Sequence, residues 1–125
     1  MVTVFVVDDE PALHKLYRIL LEGKGHSVIG SAYNGEEAVD VYKQMNEKPD
    51  VILMDYRMPL KDGIEATKEI LEVDAEARIL FVSADDTVEE EAIAAGACGF
   101  KLKTFELDEL IEDIEYAVNR GKRKR

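Results

Sequence analysis

The sequence predicts an α/β protein, a doubly wound five-stranded parallel sheet flanked by five helices. Three observations carry this expectation. Short apolar runs alternate with longer segments whose apolar residues recur at helical spacing. Three of the five runs are continuous and rich in Val and Ile, as in strands covered on both faces. Parallel neighbours need crossover connections, and right-handed crossovers distribute helices over both faces of the sheet. At 125 residues and 46% hydrophobic, the chain suits one domain with a substantial core.

The elements follow in order. Val2–Val7 is the first strand run. Leu13, Leu16, Tyr17, Leu20 and Leu21 form a helical stripe, with Pro11 suited to the first turn and Gly23 or Gly25 to the end. Val28–Ser31 is a shorter run, as for an edge strand. Ala38, Val41, Tyr42 and Met45 mark a second helix after the Asn34-Gly35 turn. Val51–Met54 is the third run, and Ile64, Thr67, Lys68 and Leu71 mark a third helix after Gly63. Ile79–Val82 is the fourth run, and Val88, Ala92, Ala95 and Gly96 give a weak fourth helix. Cys98–Leu102 is a polar fifth run, again edge-like. Leu107, Leu110, Ile111, Ile114 and Val118 make the fifth helix. Residues 1–120 are expected to form the domain and 121–125 a basic tail or the start of a linker.

Charge and composition narrow the functions. The chain has 16 Lys and Arg against 27 Asp and Glu, a net charge of −11. Five of the basic residues (Arg120, Lys122, Arg123, Lys124, Arg125) fall in the last six positions, so the body is more acidic still. Such a body repels nucleic acid and anionic membranes and attracts a cation or a basic partner. No apolar run approaches the roughly 20 residues that span a bilayer. The first residues lack the basic leader and small-residue cleavage site of a secretory signal. A single cysteine, Cys98, excludes an internal disulfide and a cysteine zinc cluster. The expected compartment is the cytoplasm.

In doubly wound sheets ligands bind at the carboxyl ends of the strands. There the sequence places Asp8 and Asp9 after the first strand, Asp55 after the third, Ser83 after the fourth and Lys103 near the end of the fifth. Three clustered carboxylates repel one another unless a cation intervenes. A hard divalent ion such as Mg²⁺ resolves the conflict with oxygen ligands. A metal, a lysine and a hydroxyl together suit a tetrahedral oxyanion such as a phosphoryl group, toward which a central carboxylate, Asp55, is the candidate nucleophile. Taken singly, each residue has a plainer reading. Asp8-Asp9 and Ser83 suit helix caps, Asp55 a turn, and Lys103 a solvated surface. Their joint occurrence favours the site.

Asp8-Asp9, Asp55-Tyr56-Arg57-Met58-Pro59 with Gly63, Ser83-Ala84 and Lys103 resemble the receiver domain of two-component response regulators. The resemblance spans Val2 to about Val118. It implies the flavodoxin-like strand order 2-1-3-4-5. It implies Asp55 as phosphoryl acceptor, and Asp9, Asp55 and the Arg57 backbone carbonyl as Mg²⁺ ligands, with Asp8 helping through a metal-bound water. Ser83 would hydrogen-bond a phosphoryl oxygen after transfer. Lys103 would pair with that group or, before transfer, with Asp55. Phe100 would occupy the place of the switch aromatic. The implied function is a phosphorylation-driven switch that catalyses only its own phosphorylation and dephosphorylation. A histidine kinase or histidine phosphotransfer protein would act as donor, and the face of helix four, strand five and helix five would meet a downstream effector or output domain. Direct contact with nucleic acid or membrane is not expected of the domain.

Two departures stand out. Lys103-Thr104 replaces the family's usual Lys-Pro with its cis bond. Since a cis non-proline bond costs about 2.5–4 kcal/mol, a trans peptide and a shifted lysine are expected. Ser83 and Lys103 are also slightly closer in sequence than is usual, around an acidic Asp85-Asp86-Thr87-Val88 segment. A trimmed fourth helix or loop is expected. His14 and His26 read as partly exposed, Cys98 as a packed small hydrophobe, and Met45 and Met54 as core. Met58 is expected to shape the loop after Asp55, and Arg57 to influence how water reaches an acyl phosphate. Two other functions compete. An aspartate-nucleophile phosphatase would need an Asp-x-Asp pair after one strand and a cap domain, whereas here the pair is adjacent. A pseudo-receiver used only for contacts is opposed by the intact acidic pair, Asp55 and Lys103.

Overall fold

The computed structural model describes residues 1–103 and 106–123, the side chains of Leu107 and of 120–123 excepted. The elements are β1 (Thr3–Val7), α1 (Pro11–Gly23), β2 (Ser27–Ala32), α2 (Gly35–Gln44), β3 (Val51–Met54), α3 (Gly63–Val73), β4 (Ile79–Ser83), α4 (Glu89–Ala94), β5 (Gly99–Leu102) and α5 (Leu107–Arg123). The strands form one parallel sheet in the order β2-β1-β3-β4-β5. Every residue of β1, β3 and β4 is buried, whereas β2 and β5 at the edges are only partly so. The continuous apolar runs thus mark the three central strands.

Strand alternation divides the core into two layers. On one face Phe5, Val7, Ile52, Met54, Ile79 and Phe81 meet Ala38, Val39 and Tyr42 of α2, Ile64, Ala66 and Ile70 of α3, and Ala92 of α4. On the other, Val4, Val6, Val51, Leu53, Leu80 and Val82 meet Tyr17 and Leu21 of α1 and Leu110, Ile111, Ile114 and Val118 of α5. Helix starts are set by short polar side chains. Asn34 Oδ1 accepts from the Glu37 amide at 2.7 Å, and Asp62 Oδ1 from the Glu65 amide at 2.9 Å.

Several local expectations are corrected. Leu16 is 40% exposed, because it lies about 100° round the helix from Tyr17, beyond the buried strip. His14, expected to be partly exposed, is buried instead: its Nε2–H donates to the Asp8 carbonyl at 2.7 Å and its ring stacks on Tyr33. The His26 side chain is buried too, with Nδ1 accepting from the Val2 amide at 3.0 Å and Nε2 on Glu115 at 3.0 Å. Lys68 faces solvent, while Ala66 and Ile70 fill the inner face of α3. Cys98 is exposed rather than packed, since it precedes an edge strand. The trimmed helix is observed: α4 has six residues, preceded by one 3₁₀ turn over Asp86–Val88. The Lys103–Thr104 peptide and residues 124–125 lie outside the described residues, while the backbone of 121–123, expected as tail or linker, continues α5.

The loop from Asp55 to α3 closes tightly on itself. The Gly63 amide donates to the Tyr56 carbonyl at 2.9 Å, and a Cβ at Gly63 would stand 2.0 Å from the Asp55 carbonyl oxygen. Leu60 takes a positive φ of 70°, which turns the chain so that the Lys61 carbonyl accepts from the Gly35 amide at 3.0 Å. Gly63→Ala is therefore expected to destabilise the fold by about 1–3 kcal/mol or more, the cost of overpacking against backbone that cannot yield. Urea denaturation of the two proteins measures it.

Candidate functional site at the carboxyl ends of the strands

Three residues continue the sheet just past its strands. The Asp8 amide donates to the Ala32 carbonyl at 3.1 Å, the Asp55 amide to Val7 at 3.0 Å and the Lys103 amide to Ser83 at 2.8 Å. These bonds fix their backbones. Alternation then directs their side chains: Asp8 follows Val4 and Val6, and Asp55 follows Leu53, all toward the α1–α5 face. Lys101, two before Lys103, also faces α5, pairing with Asp113 at 3.1 Å. The outcome is a compact triad. Lys103 Nζ lies 2.9 Å from Asp8 Oδ2 and 3.3 Å from Asp55 Oδ1. Both acids are buried. The remaining Asp8 oxygen, Oδ1, accepts from the Glu10 amide at 2.9 Å.

Asp9 is exposed and lines an open groove with Tyr56, Arg57, Met58, Pro59 and Asp62. One carboxylate oxygen from each of Asp8, Asp9 and Asp55 lies within 4.8 Å of the others. The lysine supplies one positive charge against these three carboxylates, and the imbalance shows at Asp55. Burial, then the negative charge of Asp8, pushes its carboxyl up to about 6, although Lys103 and the Tyr56 amide pull the other way. Burial alone would lower the Lys103 ammonium, but hydrogen bonding to Asp8 and the charges of Asp55 and Asp8 outweigh it and hold the ammonium above its usual value. An all-oxygen donor set with surplus negative charge fits a hard divalent cation.

Ser83 and Phe100 sit on the opposite side of the sheet. Ser83 is buried, and its hydroxyl accepts from the Asp85 amide at 3.1 Å rather than bonding to Asp55. Phe100, paired in register with Phe81, is half-buried against the α2–α4 layer. Arg57, 79% exposed at its side chain, reaches across the rim to Asp85 at 3.2 Å. Sequence reasoning thus gathered Asp8, Asp9, Asp55 and Lys103 correctly. It missed His14, whose ring N–H holds the Asp8 carbonyl, and Tyr33, which stacks on that ring. The signal for His14 was an otherwise unexplained polar residue one turn into the helix that follows the acidic pair.

A parallel β2-β1-β3-β4-β5 sheet with an acidic cluster and a lysine at its carboxyl edge defines the class of doubly wound α/β proteins with a cation- and oxyanion-binding rim. The particular assignment comes from comparison with known proteins. The family model of the response regulator receiver domain matches residues 4–115. The chemotaxis protein CheY of Bacillus subtilis is 38% identical over 93% of this chain and 97% of its own length. CheY of Thermotoga maritima is 39% identical over 89% of this chain and 92% of its own. Among solved structures, the response regulator protein TrrA of Thermotoga maritima, determined in complex with Mg²⁺ and a beryllium fluoride, superposes with a TM-score of 0.84 at 30% identity, covering 94% of this chain and 99% of that one. The chain belongs to the receiver domains of two-component response regulators, homologous to CheY, and its fold and family are those of a signal-transduction switch. Among the described residues, no helix is long and apolar enough to cross a membrane.

Proposed function

We propose that Asp55 is the phosphoryl acceptor of this receiver and that the acidic cluster holds Mg²⁺. The observation that carries the reading is Lys103 shared between two buried carboxylates in a site whose charge it does not balance. A carboxylate oxygen of Asp55 attacks the phosphorus of a phosphohistidine on a kinase or phosphotransfer protein. The P–N bond breaks, and the imidazole nitrogen keeps the electron pair. Lys103, already 3.3 Å from Asp55, neutralises charge on the transferred oxygens. Asp8, Asp9, Asp55 and the Arg57 carbonyl would hold Mg²⁺, which supplies further charge neutralisation at those oxygens. The presence of Mg²⁺ and beryllium fluoride in the TrrA structure supports this assignment by homology.

After transfer, the Ser83 hydroxyl, whose oxygen accepts from the Asp85 amide, donates its hydrogen to a phosphoryl oxygen, and the half-buried Phe100 turns inward. The α4–β5–α5 face changes for a downstream effector, with a bistable element biased by a local charge event. The protein works in the cytoplasm, turns over no external metabolite, and catalyses only its own phosphorylation and dephosphorylation. Incubation with Mg²⁺ and a small acyl phosphate is expected to place a single acid-stable, base-labile phosphoryl group on the Asp55 peptide, read by mass spectrometry. Steady release of phosphate from small esters would instead mark a phosphatase, and no Mg²⁺-dependent change a pseudo-receiver.

A further inference from the structure

The α1–α5 layer contains a polar atom that the contacts of the site leave unused. Tyr17 is 2% exposed, and its hydroxyl has no hydrogen-bond partner among the described residues. Buried tyrosine hydroxyls normally find a partner, and an orphan carries a cost in stability. The position of this one points to its use. Tyr17 packs in one cluster with Val4, Val6 and Leu53. Asp8 and Asp55 are the next residues on that same face of β1 and β3, so the phenol belongs to the layer on which both carboxylates rest. Burial, then the charges of Asp8, Asp55 and Glu10, hold the phenol protonated well above the ordinary tyrosine range. It is a neutral donor with nothing to donate to.

The acceptor it lacks is supplied by the lysine's movement. Each Asp8 oxygen has one donor in this structure, Oδ1 the Glu10 amide and Oδ2 Lys103. Lys103 is shared with Asp55, and new phosphoryl oxygens on Asp55 would draw the ammonium toward them, leaving Asp8 Oδ2 with one hydrogen-bond donor fewer beside the bound cation. We propose that the Tyr17 hydroxyl is a positioning donor that takes over Asp8 when Lys103 turns to the phosphoryl group. This rests on the reading of Asp55 as acceptor. Tyr17 touches no reacting atom. It acts through Asp8, keeping that carboxylate oriented while the lysine is engaged elsewhere.

The test compares the full chain with Tyr17→Phe, which keeps the ring and removes the oxygen. Without beryllofluoride, the variant is expected to bind Mg²⁺ with unchanged affinity by calorimetry and to unfold at the same or a higher temperature. With Mg²⁺ present, its beryllofluoride affinity is expected to fall about tenfold, the loss of one hydrogen bond to a charged group. In the wild-type chain, the Tyr17 Cζ resonance is expected to shift when beryllofluoride binds, a signature that packing alone does not give. Equal affinities, or an unmoved resonance, overturn the proposal while the role of Asp55 stands. A wild-type chain that takes no beryllofluoride at Asp55 overturns both.

Discussion

Lys103→Met is expected to lower the stability of the unphosphorylated protein by about 3 kcal/mol at pH 7 in the absence of divalent cations. The lysine is the cation shared by two carboxylates whose side chains are only 3% and 9% exposed. Removing one partner of a buried ion pair leaves uncompensated charge, at a typical cost of about 3–5 kcal/mol. Here the methionine stem preserves most of the packing, so the lower end applies. Because Lys103 is held above its ordinary value of 10.5, its contribution is complete at neutral pH and is lost only as pH rises beyond that value. The deficit of the variant should shrink as pH falls and Asp55 takes up a proton. It should also shrink when Mg²⁺ is added, because a divalent ion replaces the missing charge. Guanidinium denaturation at pH 7 and pH 5, with and without Mg²⁺, measures all three effects. A deficit independent of pH and Mg²⁺ would mean that Lys103 contributes packing alone.

Asp55→Asn is expected to abolish phosphoryl transfer and, at the same time, to stabilise the domain at neutral pH. The first effect follows because an amide is no nucleophile toward phosphorus. The second follows from the raised carboxyl. In the fold Asp55 titrates at about 6, against 3.8 ordinarily, so between these values the folded chain binds more protons than the unfolded one. The Asp55 contribution to native stability is then greatest below about 4 and is lost as pH rises through 6. The asparagine variant lacks that slope, while Lys103 keeps its bond to Asp8. The gain at pH 7 should be on the order of 1–2 kcal/mol after solvent screening is allowed for. Thermal unfolding from pH 4 to pH 8 distinguishes the proteins, since their difference should grow with pH. Parallel curves would place the Asp55 carboxylate in a better-balanced environment than its neighbours imply.

These expectations depend on information of two kinds. The strands were legible because burial on both faces removes alternation: β1, β3 and β4 appear as unbroken apolar runs, while polar residues interrupt the edge strands. From that order, the strand-end rule placed Asp8, Asp9, Asp55 and Lys103 together without any coordinates. The short α4 was legible in the small number of residues between Ser83 and Lys103. Helix faces were less legible. Leu16 and Lys68 fit a spacing of three and four as well as their buried neighbours do, and only docking against the sheet selects which shoulder of the strip is covered. His14 could be read as a surface residue because its partner is a backbone carbonyl, a group with no sequence identity.

What the sequence determined by itself was therefore the fold class, the family resemblance through its motifs, and the gathering of three carboxylates and a lysine at one rim, since periodicity and strand-end position are local properties of the chain. Which Asp8 oxygen the lysine takes, how burial raises the Asp55 carboxyl, and that Tyr17 carries an unused hydroxyl into the layer below them were decided only by tertiary structure. Distances and desolvation arise between segments remote in sequence, and no local pattern records them.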